Sequence, residues 1–396
     1  MTQPIRIGIV AGEASGDLLG ARLIDSLRAR RSGIEFVGIA GPKMQAAGAL
    51  SLFPMEKLSV RGYVEVVRHL PELLSIRRRL VKQFLRQPPA LFIGVDAPDF
   101  NLGLEASLKA GGIPTVQYIA PAVWAWRPER IQRIARSVTR ILSIFPFEAK
   151  IFASAGVPVS YVGHPLADLL QDVPDQLTAR ARLQIAGPGA VIALLPGSRK
   201  SELELHAPLF VATAKAIARR APDTAFLVPL ATAETRAQFA TVMQRDAARA
   251  LNMTLFSGRA HEVLAAADVA LVASGTASLE AALIGCPALI TYRLSPLSYR
   301  IVQAKRHSRF VGLPNIIAGE YILPEILQDD ATPENLSQAL SNLLEDAPVR
   351  ARLAKKFSLL RHLLAQDSDA KIAAALLPFL QSGDPSGEKR SARGRA

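Results

Sequence analysis

The chain has 396 residues, 49% hydrophobic and 20% charged, a balance that excludes a disordered polymer and leaves room for two domains of ordinary size. Forty-seven basic against thirty-four acidic residues give a net charge of +13, which favours an acidic partner (nucleic acid, anionic lipid or phosphorylated substrate) without choosing among them. The single cysteine, Cys286, excludes an internal disulfide and reads as a small buried residue. No apolar run reaches the roughly 18 residues of a bilayer span and no signal-peptide layout precedes the first strand, so a cytosolic protein is expected.

The first strand pattern, Ile5–Val10, leads into Gly12-Glu13-Ala14-Ser15-Gly16-Asp17 and a helix from about Leu18 to Arg30. A dinucleotide enzyme carries its glycine fingerprint at this place, but G-x-G-x-x-G is not matched. Two carboxylates there would repel a pyrophosphate, so the hydroxyls of a sugar are the expected contact. Ser15 and Asp17 serve equally well as helix caps, whereas Glu13 points from a strand end toward the expected cleft. After a strand at Ile34–Ile39, Pro71–Gln87 predicts a helix with Pro71 in its first turn. Leu73, Leu74, Leu80, Val81 and Phe84 supply its apolar face, and Arg78, Arg79, Lys82 and Arg86 the opposite one. Such a helix either rests on an anionic membrane or packs on its own sheet with a solvated basic side.

The strand Leu91–Val95 ends in Gly94-Val95-Asp96-Ala97-Pro98-Asp99-Phe100-Asn101, where Asp96 and Asp99 are candidate general bases toward a hydroxyl, or a loop tie and a helix cap. A helix at Leu102–Lys109 and a strand at Thr115–Ile119 follow. Ala120-Pro121-Ala122-Val123-Trp124-Ala125-Trp126-Arg127-Pro128 then holds both tryptophans. Their rings can stack on sugars and Arg127 can meet a phosphate, or they fill a core. His164 closes this half at the junction with the next. Alternation of apolar strands and helices predicts an α/β fold of two doubly wound, Rossmann-like domains facing a cleft. The expected bounds are 1–168, then 186–380 after a linker around Ala167–Asp175 and Gly187-Pro188-Gly189, and a disordered basic tail at 381–396.

The second half repeats the scheme with strands at Val191–Leu195, Ala225–Val228, Val269–Val272 and Ala288–Tyr292. Two of these end in small-residue turns that open helices, Leu195-Pro196-Gly197-Ser198-Arg199 and Ala273-Ser274-Gly275-Thr276-Ala277-Ser278-Leu279-Glu280. Free N–H groups at a helix start attract phosphate. Arg199 adds a guanidinium, and Glu280, one turn beyond Thr276, can take the two hydroxyls of a ribose. Either turn alone is most simply a cap. Together they point to a nucleoside diphosphate. No metal-ligand spacing occurs, and neither a metal nor another cofactor is expected.

Taken in order with Leu313-Pro314-Asn315, these motifs resemble the lipid-A-disaccharide synthase family from about residue 5 to 375. One departure stands out, since Ala120-Pro121-Ala122 replaces a common Ser-Pro-Ser and removes two hydroxyls. The resemblance implies a GT-B glycosyltransferase that joins UDP-2,3-diacylglucosamine to 2,3-diacylglucosamine 1-phosphate with inversion and releases UDP, working as a peripheral protein on the cytoplasmic face of the Gram-negative inner membrane. In that setting Asp99 takes the proton of the acceptor 6-hydroxyl, with Asp96 in reserve and Glu13 alongside. Ser198, Arg199, Ser274, Gly275 and Thr276 hold the diphosphate, Glu280 the ribose, and Asn315 the donor or the domain partner. Ser15, Asp17, Trp126, Arg127, Arg78, Arg79 and Lys82 face the acceptor and the lipid. A homodimer is compatible with this, and no nucleic-acid partner is expected. The rival readings are a UDP-sugar epimerase of the same architecture and a non-enzymatic basic protein that binds membrane or nucleic acid.

Overall fold

The computed structural model describes residues 4–58, 63–121, 130–246, 248–295, 299–300 and 308–381, without the side chains of 63–68, 249 and 381. The chain divides into two units, Met1–Asp168 with Leu364–Ala396, and Leu169–Leu363.

The sheet of the first unit comprises β1 (Ile5–Ala11), β2 (Ile34–Ile39), β3 (Ala49–Ser51), β4 (Leu91–Val95), β5 (Thr115–Tyr118), β6 (Arg140–Ser143) and β7 (Val159–Tyr161). All its pairings are parallel, in the order β3-β2-β1-β4-β5-β6-β7. Ile7, Ile9 and Val10 of β1 and Leu91, Phe92, Ile93 and Val95 of β4 are fully buried. Adjacent residues of a strand point to opposite faces, so runs like these require helices on both sides of the sheet.

The second unit repeats the design with β8 (Val191–Leu195), β9 (Ala225–Leu230), β10 (Met253–Ser257), β11 (Val269–Ala273), β12 (Ala288–Tyr292) and β13 (Glu325–Leu327). These too are all parallel, ordered β10-β9-β8-β11-β12-β13. Strand order reverses between β1 and β4 in one sheet and between β8 and β11 in the other. Ligands of doubly wound sheets bind beyond the carboxyl ends of the strands at such reversals, and the four loops that leave these strands carry the motifs singled out in the sequence.

Three expectations about organisation need correction. The second unit starts at Leu169 and ends at Leu363, because the C-terminal helix Ser368–Gln381 returns to the first unit and packs on the helix Ala14–Arg30. Arg22 forms an ion pair with Asp369 at 2.7 Å, Ser26 Oγ donates to the Asp369 carbonyl, and Ile372, Ala373, Leu376 and Leu380 are buried. Within the supposed linker, Asp175 caps the helix Gln176–Arg182 through the Thr178 N–H, and Arg180 pairs with Asp268 at 2.8 Å. The basic helix spans Tyr63–Arg86, with Pro71 in its interior. Ile76, Leu80 and Phe84 are buried, Phe84 lying 5.8 Å from the Phe92 ring, while Arg78, Arg79, Lys82 and Arg86 are exposed. The apolar face thus packs on its own sheet and the basic face is solvated. Cys286 is buried, as its neighbours suggested, and burial pushes its thiol pKa up.

Candidate functional site

At the reversal of the first sheet the loops after β1 and β4 touch. A Cβ on Gly12 would come within 2.7 Å of the Ala97 Cβ, so only glycine permits this approach. Glu13, half-buried, is the N-cap of the helix Ala14–Arg30 at the end of β1, and its side chain does not make the cap hydrogen bond. Ser15 is exposed in the first turn.

Asp17 is 3% exposed, its Oδ2 accepting from the Lys43 N–H and its Oδ1 from the Met44 N–H, both at 2.9 Å. It caps the helix Pro42–Ala46, which starts a segment away from its own. Burial and these two backbone bonds make it a cap inside the fold and not a group that faces an acceptor substrate.

Asp96 and Ala97 adopt φ of 53° and 42°, in the left-handed region that non-glycine residues avoid. The turn projects the following residues up from the strand end into the helix Pro98–Ala110. Asp99, in the first turn, is 85% exposed and bound by Arg130, whose Nη2 donates to Asp99 Oδ1 at 2.6 Å. Arg130 was not singled out in the sequence; nothing in its neighbourhood distinguishes it from other surface arginines. Trp124, Trp126, Arg127 and Ala122 lie outside the described residues, as does the tail.

In the second unit Gly197 has φ of 117° and Ser198 and Arg199 are exposed. The N–H groups expected to receive a phosphate already have an anion. Glu202 Oε2 accepts from Ser198 N at 2.9 Å and from Arg199 N at 3.2 Å, while its Oε1 lies 3.5 Å from Arg199 Nη1 and from the Tyr292 hydroxyl. Only one half of a capping box forms, the Glu202 carboxylate reaching back to the backbone of its own helix start, since the Arg199 guanidinium has no acceptor for a return bond. Buried His206 supports it from below. Its Nε2 accepts from the Arg293 N–H at 2.9 Å, so Nδ1 carries the proton and donates to the Glu202 carbonyl at 2.8 Å. Burial holds the His206 pKa below the usual range, in keeping with that neutral form.

Beside it, Gly275 (φ 138°) caps the helix Thr276–Ile284, and Gly275 and Thr276 are exposed. The Ser274 N–H is engaged with the Thr291 carbonyl and its hydroxyl with the Val311 carbonyl. The helix start therefore presents the N–H groups that follow Ser274. Glu280 is one turn further on, 17% exposed, with Oε2 at 3.5 Å from His261 Nε2. That hydrogen bond raises the His261 pKa against the opposing effect of burial.

Asn315, expected to meet the donor or the domain partner, proves structural, as does His164 at the end of the first half. Asn315 is fully buried; its Nδ2 donates to the Leu323 carbonyl and to Glu325 Oε1, and its Oδ1 accepts from the Ile322 and Leu323 N–H groups. Glu325 in turn receives the Val311 and Gly312 N–H groups. Asn315 has no hydrogen-bonding capacity left for a donor substrate, and acts by fixing the segment against which Ser274 rests. His164 is 6% exposed, accepts the Leu166 N–H at Nδ1, and is held neutral by burial, which pushes its pKa down to about 4.

A family model described as lipid-A-disaccharide synthetase matches residues 7–376. A lipid-A-disaccharide synthase of Methylobacillus flagellatus is 51% identical over 375 residues, covering 95% of this chain and 99% of its own. One from an Azoarcus species is 52% identical over 377 residues, 95% and 96% of the two chains. Among solved structures, CalG4, the calicheamicin glycosyltransferase, superposes with a TM-score of 0.60 at 17% identity, covering 97% of this chain and 100% of its own. A UDP-GlcNAc 2-epimerase from Neisseria meningitidis bound to UDP-GlcNAc gives 0.58 at 10% identity, over 96% and 100%. At these identities the two structures speak for the fold, which is GT-B.

Proposed function

Because the chain belongs to the lipid-A-disaccharide synthase family, glycosyltransferases of lipid A biosynthesis, we propose that it transfers 2,3-diacylglucosamine from UDP to the 6-hydroxyl of 2,3-diacylglucosamine 1-phosphate. The observation that carries the reading is the family match across residues 7–376, together with the motif residues standing at the strand-order reversals of both sheets.

The second unit takes the donor. Arg199 and the first-turn N–H groups at Gly275 and Thr276 balance the charge that grows on the departing diphosphate, and Glu280 holds the ribose. The first unit takes the acceptor. Asp99 removes the hydroxyl proton, oriented by Arg130 on one oxygen and, among the described residues, open at the other, with Asp96 as the competing base and Glu13 beside the acceptor. Attack from the face opposite UDP gives inversion.

The acylated substrates imply contact with a membrane. Arg78, Arg79 and Lys82 are exposed, and Arg78, Lys82, Arg77, Val81 and Leu85 line a groove of ≈ 540 Å³ against Gly103 and Ser107. Among the described residues no helix is long and apolar enough to cross a membrane. Peripheral attachment to an anionic inner-membrane surface fits both facts.

Purified protein incubated with the two acylated sugars in mixed micelles should yield disaccharide 1-phosphate and stoichiometric UDP. Release of UDP without disaccharide, or epimerised UDP-sugar instead, would overturn the reading in favour of an epimerase.

A further inference from the structure

Beneath the loop that leaves β4 lie three fully buried polar side chains that the chemistry above does not use, Asn101, Glu105 and Gln117. Asn101 and Glu105 are one turn apart on the helix Pro98–Ala110, and Gln117 on β5 is in register with Gly94 of β4. They converge on the space Gly94 leaves. A Cβ there would lie 2.6 Å from Glu105 Oε1, 2.8 Å from Gln117 Oε1 and 2.9 Å from the Asn101 Cβ.

The donors of this cluster are all engaged. Gln117 Nε2 donates to the carbonyls of Asp96 (3.0 Å), Tyr118 (3.3 Å) and Ile119 (3.2 Å). Asn101 Nδ2 donates to those of Asp96 (2.8 Å) and Val10 (3.3 Å). The acceptors are not: among the described residues none donates to Asn101 Oδ1, Gln117 Oε1 or either oxygen of Glu105 in hydrogen-bond geometry. An ionised carboxyl would add a buried charge to this surplus of acceptors. A protonated one supplies the missing O–H.

We propose that Glu105 is a positioning residue, carried as the neutral acid, which donates to Gln117 Oε1 and so holds the Gln117 amide with its NH2 against the three carbonyls. The clamped backbone needs holding, since Asp96, Ala97 and Ile119 have φ of 53°, 42° and 70°. Should Glu105 ionise, the Gln117 amide gains by turning its NH2 toward the carboxylate, which releases the loop that carries Asp96 and leads to Asp99. Burial pushes the Glu105 carboxyl up to about 8, outweighing the opposite effect of the neighbouring Gly94 N–H, which does not reach hydrogen-bond geometry with either oxygen. No charged side chain contributes. Of the cations on neighbouring elements, Arg77 lies over Gly103, Lys109 donates to the Ala135 and Val138 carbonyls, and Arg130 is paired with Asp99.

The catalytic consequence rests on the transferase reading above; the protonation does not. Infrared difference spectra between the wild type and Glu105→Gln at neutral pH should show a protonated-carboxyl stretch that only the wild type has and that titrates near pH 8. Carboxylate bands in its place overturn the proposal, whether or not the protein turns over acylated sugars. In turnover assays Glu105→Leu, which fits the space but cannot donate, should lower kcat by roughly 10- to 100-fold through misplacement of the loop, with UDP affinity unchanged. Glu105→Gln, which keeps a donor, should restore most of that rate and lose the alkaline decline near the Glu105 pKa. Equal kcat in the wild type and the leucine variant, or UDP affinity falling in parallel with kcat, overturns the positioning role.

Discussion

Arg130 donates to Asp99 across 2.6 Å, and the two side chains differ sharply in environment, the arginine being 22% exposed and the aspartate 85%. The better-packed partner orients the freer one. The carboxylate is therefore aimed without being dehydrated, which suits the role of base proposed for Asp99.

Asp99→Ala should reduce turnover by ~10²–10⁴, the span associated with loss of a general base, with UDP binding intact. Arg130→Ala should produce a smaller loss in the same direction, because it removes orientation and not the base. Steady-state kinetics beside calorimetric UDP titrations check both. If Asp99→Ala turns over normally while Asp96→Ala does not, the base is Asp96.

Glu202 occupies the N–H groups that a phosphate would otherwise take. Replacing it with Gln keeps a cap acceptor but removes the charge, so UDP should bind several-fold more tightly. Glu202→Ala should also lower stability by about 1 kcal/mol, the usual worth of a helix cap. Arg199→Ala should weaken UDP binding. Isothermal titration and thermal melts separate these effects, and unchanged UDP affinity in Arg199→Ala would remove that residue from the phosphate site.

The pair of His261 and Glu280 makes stability depend on pH. The His261 pKa is raised in the fold, chiefly by its hydrogen bond to Glu280. Its contribution is thus complete below the unfolded value of about 6.5 and is lost as pH rises through the folded one. Melting temperatures followed from about pH 6 to about pH 8.5 should fall more in the wild type than in Glu280→Gln. Parallel curves for the two proteins would count against a charged pair.

Asn315→Ala leaves the Ile322 and Leu323 N–H groups and the Leu323 carbonyl without their partner. Each buried group stranded in this way costs roughly 1–3 kcal/mol, so the melting temperature should drop markedly. UDP affinity of the protein that remains folded should be near normal. A loss of UDP affinity without loss of stability would return Asn315 to the ligand.

Central strands were readable from sequence because burial on both faces demands unbroken apolar runs, as in β1, β4, β8 and β11. The edge strands β3, β7, β10 and β13 were not, nor was the four-residue β6 that lies between β5 and β7. Edge positions leave one side wet, and segments such as Val159–Tyr161, half-buried throughout, carry no such run. Within the site the glycine turns were legible, since φ of 117° at Gly197 and 138° at Gly275 demand that residue type. What sequence could not assign was the partner of a polar side chain. Asp17 and Asn315 look like ligand contacts until the Lys43, Met44, Ile322 and Leu323 N–H groups are found to fill them. Arg130 and Glu325 gain their importance only from the neighbours the fold gives them.

The return of Ser368–Gln381 to the helix Ala14–Arg30 has a consequence for biosynthesis. Translation delivers the whole of Leu169–Leu363 before it delivers the helix that covers Arg22 and Ser26. The usual order, in which the N-terminal domain matures first, is not imposed by this topology: on the ribosome Leu169–Leu363 can finish folding before Ser368–Gln381 emerges to cover the helix Ala14–Arg30.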